Sequence, residues 1–139
     1  MFQRILVPLD LSNRSQSVVD VAFGLAAQSK ADVVLLHVIE TVEHIQFDEM
    51  KEFYGRLEKS ASVGLQELAA DLEAKGINAE RVVIYGKRTQ EIVDFAVNNR
   101  VDLILMASHR IDPDRPGHDW SSISYAVAIL APCAVLLVK

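Results

Sequence analysis

The chain has 139 residues, 50% of them hydrophobic, 6% aromatic and 24% charged, with a formal net charge of −5. One domain spanning 1–139 is the expectation at this length, and roughly two-thirds of the unfolded surface can be buried, so a core can form without disulfides or metal. The apolar half excludes a disordered chain, and the acidic balance argues against a nucleic-acid partner, which needs a basic field.

In chain order the pattern is an alternation. Arg4–Leu9 is a continuous apolar, β-branched run, as in strands buried on both faces of a parallel sheet. The stripe of Val18, Val19, Ala22, Phe23, Leu25 and Ala26 predicts a helix. Asp32–Ile39 reads as the second strand. Phe47, Met50, Tyr54, Leu57, Ala61, Leu65, Leu68 and Leu72 step by three or four residues, which predicts a long helix ending at Gly76. Gly55 and Gly64 weaken its interior and mark where it would break. Ala79–Tyr85 is the third strand. Ile92, Val93, Ala96 and Val97 form a short helix, with Thr89 as the expected N-cap. Leu103–Ala107 is the fourth strand. The last helix carries Ile123, Ala126, Val127, Ile129 and Leu130, capped by Ser121 or Ser122 and stopped by Pro132. Cys133–Val138 closes the chain as a fifth strand. The expected fold is α/β: a doubly wound five-stranded parallel sheet with right-handed crossovers and helices on both faces.

Cys133 has no internal partner for a disulfide, which fits a reducing cytoplasm. No apolar run approaches the about 20 residues of a membrane span, and the short apolar start lacks the cleavage site of a leader. The expected location is therefore cytoplasmic, with no membrane span.

In such a sheet, ligands bind beyond the carboxyl ends of the strands where the strand order reverses. Asp10 follows the first strand directly. A carboxylate there accepts from an adenine amino group or a ribose hydroxyl, or it serves as a turn acceptor with Ser12 and Asn13. Ser122 opens the last helix, where a hydroxyl and backbone N–H groups bind an anion or simply cap the helix. Arg110 and Arg115 are phosphate-binding types, but Asp112, Asp114 and Asp119 offset them in a loop stiffened by Pro113 and Pro116. Trp120 packs that loop or stacks on a base, packing being the plainer role. The histidines His37, His44, His109 and His118 lack tight metal spacing, so no metal site is expected, and His37 reads as a satisfied core residue. Cys133 reads as a buried, inert thiol. The phosphate-loop, dinucleotide and nucleophile-elbow glycine motifs are absent, and no residue is assigned a catalytic role.

These residues resemble the universal stress protein family over essentially the whole chain. Arg4-Ile5-Leu6-Val7-Pro8-Leu9-Asp10-Leu11-Ser12 is similar to the family's opening strand and aspartate. Val33-Val34-Leu35-Leu36-His37-Val38 is similar to its second strand. Gly86 followed by Ile92 resembles the turn G-x-P-x-x-x-I, with Arg88 in place of the proline. Asp102-Leu103-Ile104-Leu105-Met106-Ala107-Ser108-His109 and Ala131-Pro132-Cys133-Ala134-Val135-Leu136-Leu137-Val138 resemble the fourth and closing strands.

The resemblance implies strand order 3-2-1-4-5, the adenine nucleotide alpha hydrolase-like arrangement. It also implies a homodimer through the last strand, with Cys133, Ala134, Val135, Leu136, Leu137 and Val138 at the interface. The family contains members that bind ATP and members that do not. The binders carry G-x-x-G, a spacer, then G-[ST], glycines that let the backbone approach phosphates. Here Ala107, Arg110 and Ser121 occupy the three glycine positions, the spacer is longer by one residue, and Ser122 keeps the hydroxyl. On the nucleoside side Pro8, Asp10 and Val38 match positions that surround base and ribose, while Ser108, Ser122 and Arg110 would meet the phosphates. The implied ligands are ATP, ADP or AMP, with Mg accompanying ATP. The implied role is stress-response regulation with a signalling or transport partner. A nucleotide-free interaction module of the same fold is the alternative, and a nucleotide-hydrolysing enzyme is the third.

Overall fold

The computed structural model describes residues 1–108, Asp114 and residues 122–139. Five strands form one parallel sheet: β1 (Arg4–Pro8), β2 (Asp32–Glu40), β3 (Ala79–Gly86), β4 (Leu103–Ala107) and β5 (Ala134–Val138). The helices are α1 (Ser15–Ser29), α2 (Lys51–Ala74), α3 (Arg88–Asn98) and α4 (Ile123–Leu130), with a single 3-10 turn at Phe47–Met50 leading into α2. The spatial order is β3-β2-β1-β4-β5, all neighbours parallel, as the resemblance implies.

Continuous apolar strands are explained by burial on both faces. Alternate residues of each central strand enter different cores. Ile5, Val7, Val33, Leu35, Leu103 and Leu105 pack with Val18, Val19 and Ala22 of α1 and Leu65, Ala69 and Leu72 of α2. Leu6, Val34, Leu36, Ile104 and Met106 pack on the other face, with Ile92 and Ala96 of α3 and Val127 of α4. Chain entry is clamped electrostatically: the Asp102 carboxylate accepts from the backbone N–H of Gln3 at 2.8 Å and of Arg4 at 3.1 Å. This ties the start of β1 to the start of β4.

Local expectations are corrected at three places. The helix α2 runs unbroken through Gly55 and Gly64. At Gly64 the helix packs against Leu11, whose methyl groups lie 3.4 Å from where a Cβ would stand. Helix α3 begins at Arg88, so Thr89 lies inside its first turn and is not its N-cap; Lys87 holds that position without a side-chain hydrogen bond. The terminal donor is met from another strand, since Arg88 N–H donates to the Glu40 carboxylate at 3.3 Å. Cys133 precedes β5 and is half-buried rather than buried. Burial and the nearby Asp102 charge push its thiol pKa up, outweighing a backbone hydrogen bond with Ile104, so it stays protonated at neutral pH. Gly76 ends the long helix region in a left-handed conformation, φ 86°, that glycine adopts without strain. Among the described residues no helix is long and apolar enough to cross a membrane.

Candidate functional site

The site originates in a fork between two strands. Strand β1 pairs with β2 along its full length, from Arg4↔Asp32 to Pro8↔Leu36. Its pairing with β4 covers only Ile5↔Leu103 and Leu6↔Ile104. Beyond those pairs the carboxyl ends diverge, and Pro8 has no N–H with which to bridge the gap. The crossovers from β1 and β4 also lead to opposite faces, which is the condition for a crevice in a doubly wound sheet.

A cavity of about 330 Å³ occupies this fork. Its walls are Pro8, Leu9 and Asp10 from the end of β1, Leu36 and Val38 from β2, and Met106 and Ala107 from β4. Ser15 and Val18 of α1, Arg88 and Ile92 of α3, and Ser122, Ile123 and Ser124 at the start of α4 complete it. Its size falls within the range of small-molecule sites, and its lining is mostly apolar with a few convergent polar groups.

Of the residues singled out in the sequence, Pro8, Asp10, Val38, Ala107 and Ser122 come together on this cavity. Ser108 is buried behind it and accepts a hydrogen bond from the Ser124 hydroxyl at 3.4 Å. Arg110 and Ser121 lie outside the described residues, as do His109, Arg115, His118 and Trp120.

Asp10 is exposed at the cavity rim, and its Oδ1 accepts from Ser12 N–H at 2.9 Å. Partial burial works to raise its pKa. The Ser12 N–H and hydroxyl and the charge of Arg88 outweigh it and hold the carboxyl below its ordinary value. Asp10 therefore serves as the turn acceptor and still presents an ionised carboxylate. The turn is tight: Leu11 takes a left-handed conformation, φ 62°. Val38 is 4% exposed, an apolar wall set by its neighbours in β2.

Ser122 is the N-cap of α4, its Oγ accepting from Tyr125 N–H at 3.3 Å. It also lies 3.2 Å from the Ser124 hydroxyl. The Ser124 hydroxyl reaches Ser108 Oγ, to which Lys139 Nζ donates at 3.5 Å. A string of hydroxyls thus leads from the cavity wall to the C-terminal lysine.

Several contributors were not legible as site residues. Arg14 reaches across from the start of α1, its Nη2 donating to the carbonyls of Ser108 at 2.7 Å and Val138 at 3.2 Å. It pins α1 to the ends of β4 and β5. Ser15 and Ser124 line the cavity, and Arg88 stands where the related motif has proline. Nothing in their local spacing distinguishes them, because their roles arise from which helix starts meet at the fork. His37 behaves as expected of a satisfied core residue: its Nδ1 lies 2.7 Å from the Leu9 carbonyl. Among the described residues, no three His, Cys, Asp or Glu side chains gather as metal ligands would.

A model of the universal stress protein family matches residues 1–139. The chain belongs to the universal stress protein family. It is 26% identical to universal stress protein YxiE of Bacillus subtilis over 149 aligned positions covering all of both chains. The structure of MJ0577, a universal stress protein of Methanocaldococcus jannaschii, superposes with a TM-score of 0.85 at 26% identity, covering 100% of this chain and 96% of that one. A universal stress protein solved in complex with cAMP shares the fold with a TM-score of 0.72 at 21% identity, over 99% of this chain and 97% of that one.

The lowered pKa of Asp10 has a consequence for acid stability. A carboxyl held below its unfolded value of 3.8 contributes fully above that pH and loses its contribution as pH falls through the folded value. Asp10→Asn should therefore show a shallower decline of Tm on acidification below about pH 4 than the parent protein. Identical acid limbs in the two melting series would contradict the assignment.

Proposed function

We propose that this universal stress protein holds an adenine nucleotide in the cavity at the β1–β4 fork and acts as a stress-response regulator without catalysing a reaction. The observation that carries this is the convergence of Pro8, Asp10 and Val38 with Ala107 and Ser122 on one cavity. Apolar Val38 suits the face of a base, and the ionised Asp10 suits the ribose hydroxyls or the adenine amino group as donors. Ser122 opens α4, whose N-terminal N–H groups suit a phosphate. That a protein of the same fold was solved with cAMP supports the reading at the level of the fold. Here ATP, ADP and AMP are the ligands in question, Mg accompanying ATP.

Binding is favoured over catalysis by the side chains on the cavity wall. The titratable groups among its described residues are Asp10 and Arg88. A carboxylate held below its ordinary pKa is poorly matched to proton transfer near neutrality, and arginine is permanently charged.

The second part of the proposal is a homodimer paired through β5, in the soluble cytoplasm. Among the described strands β5 has a neighbour on one side only, which leaves backbone donors and acceptors open on the other. Leu136 on that strand is 40% exposed, and Ile129 and Leu130 of α4 are 77% and 60% exposed. An apolar edge of this kind is a template for a second strand.

Thermal unfolding with and without millimolar AMP, ADP or Mg-ATP tests the first part. A ligand at a hundred times its Kd should stabilise the protein by about 2.7 kcal/mol, and Asp10→Ala should reduce the shift. No shift with any of the three, and no nucleotide released from the denatured protein, would favour the nucleotide-free interaction module. For the dimer, Leu136→Asp should sediment as a folded monomer under conditions where the parent protein sediments as a dimer. An unchanged dimer in that variant would exclude pairing through this edge.

A further inference from the structure

Ser15 is the residue of the cavity that the fold leaves unexplained. It is 5% exposed and lines the cavity wall, yet among the described residues its Oγ has no hydrogen-bond partner. Buried hydroxyls are nearly always paired, because an unpaired one forfeits its hydration without return. The local reason is its place in the first turn of α1. Ser17, two residues on, bonds back to the Arg14 carbonyl at 2.8 Å. The corresponding carbonyl for Ser15 is that of Ser12, which accepts Ser15 N–H at 3.1 Å but receives no bond from the Ser15 hydroxyl. The Ser15 proton is thus unused within the helix.

The other hydroxyls of the wall are engaged. Ser124 donates to Ser108, so the contact between Ser122 and Ser124 takes the Ser122 proton, and Ser122 Oγ also accepts from Tyr125 N–H. In this arrangement Ser122 offers the cavity an acceptor, while Ser15 offers a donor. The surroundings of Ser15 favour an anion. Helix α1 has 15 residues, no side-chain cap at its N-terminus and no acidic residue in its first turn, so nothing within the helix offsets its positive end. Arg14 adjoins Ser15 and binds the Ser108 carbonyl, and Lys139 donates to the Ser108 hydroxyl. The charge of Asp10 is countered by Arg88.

Resting on the reading of this cavity as a nucleotide site, we propose that Ser15 donates a hydrogen bond directly to a phosphoryl oxygen of the bound ligand. The start of α1 then faces the start of α4 across one phosphoryl group. The Ser15 hydroxyl and the helix N-termini do here what a glycine loop does by backbone approach. Such a subsite matches a single phosphoryl group, as in a nucleoside monophosphate.

Calorimetric titration of adenosine and AMP against the parent protein and Ser15→Ala separates the claims. The parent protein should bind AMP more tightly than adenosine. Ser15→Ala should lose about tenfold in AMP affinity, the scale of one hydrogen bond to a charged group, with adenosine affinity unchanged. Its ligand-free Tm should equal or exceed that of the parent, since an unpaired hydroxyl is removed. Equal losses for both ligands, no loss for AMP, or a lowered ligand-free Tm would overturn the role of Ser15 while leaving the nucleotide reading standing. Failure of the parent protein to bind either ligand would overturn both.

Discussion

Two residue pairs join β1 to β4, and then the strands separate. The cavity depends on that short pairing. Were it continued to Pro8 and Met106, the sheet would close over the cavity. It is held at one end by the Asp102 carboxylate on the N–H groups of Gln3 and Arg4. At the other end, proline removes the donor that a longer ladder would use. The alternating burial of Ile5, Leu6 and Val7 of β1, and of Leu103, Ile104 and Leu105 of β4, into the two cores fixes both strands while their ends diverge.

The fork also decides which helix starts meet. Helix α1 leaves β1 on one face, and α4 follows β4 on the other, so their N-termini arrive at the same gap. Arg14 locks this arrangement by donating to carbonyls at the ends of β4 and β5. One guanidinium thereby ties the start of α1 to the ends of β4 and of the edge strand proposed for dimerisation.

Much of this was legible in the sequence for one physical reason: strands buried on both faces leave continuous apolar runs. These runs marked the five strands, with Asp10 directly after the first and Ser122 opening the last helix; Val38 and Ala107 were marked by the resemblance to the universal stress protein family. What was not legible depends on contacts between distant elements. The cap of α3 is absent from its own sequence because Glu40 supplies it from β2. Thr89 fits the propensity for a cap but lies one residue inside the helix. The helix α2 runs through both its glycines, and at Gly64 it meets Leu11, a contact that no helical periodicity encodes. Ser15 was indistinguishable from an ordinary first-turn serine until its burial and lack of a partner were seen together.

Nucleotide binding in the fork between β1 and β4 is tested most directly by amide chemical-shift mapping during titration with AMP. The largest and saturable perturbations should fall on Asp10, Gln16, Val38, Ala107 and Ile123, at the strand ends and helix starts around the cavity. Perturbations centred on the outer surface of α2, or none at millimolar AMP, would contradict it.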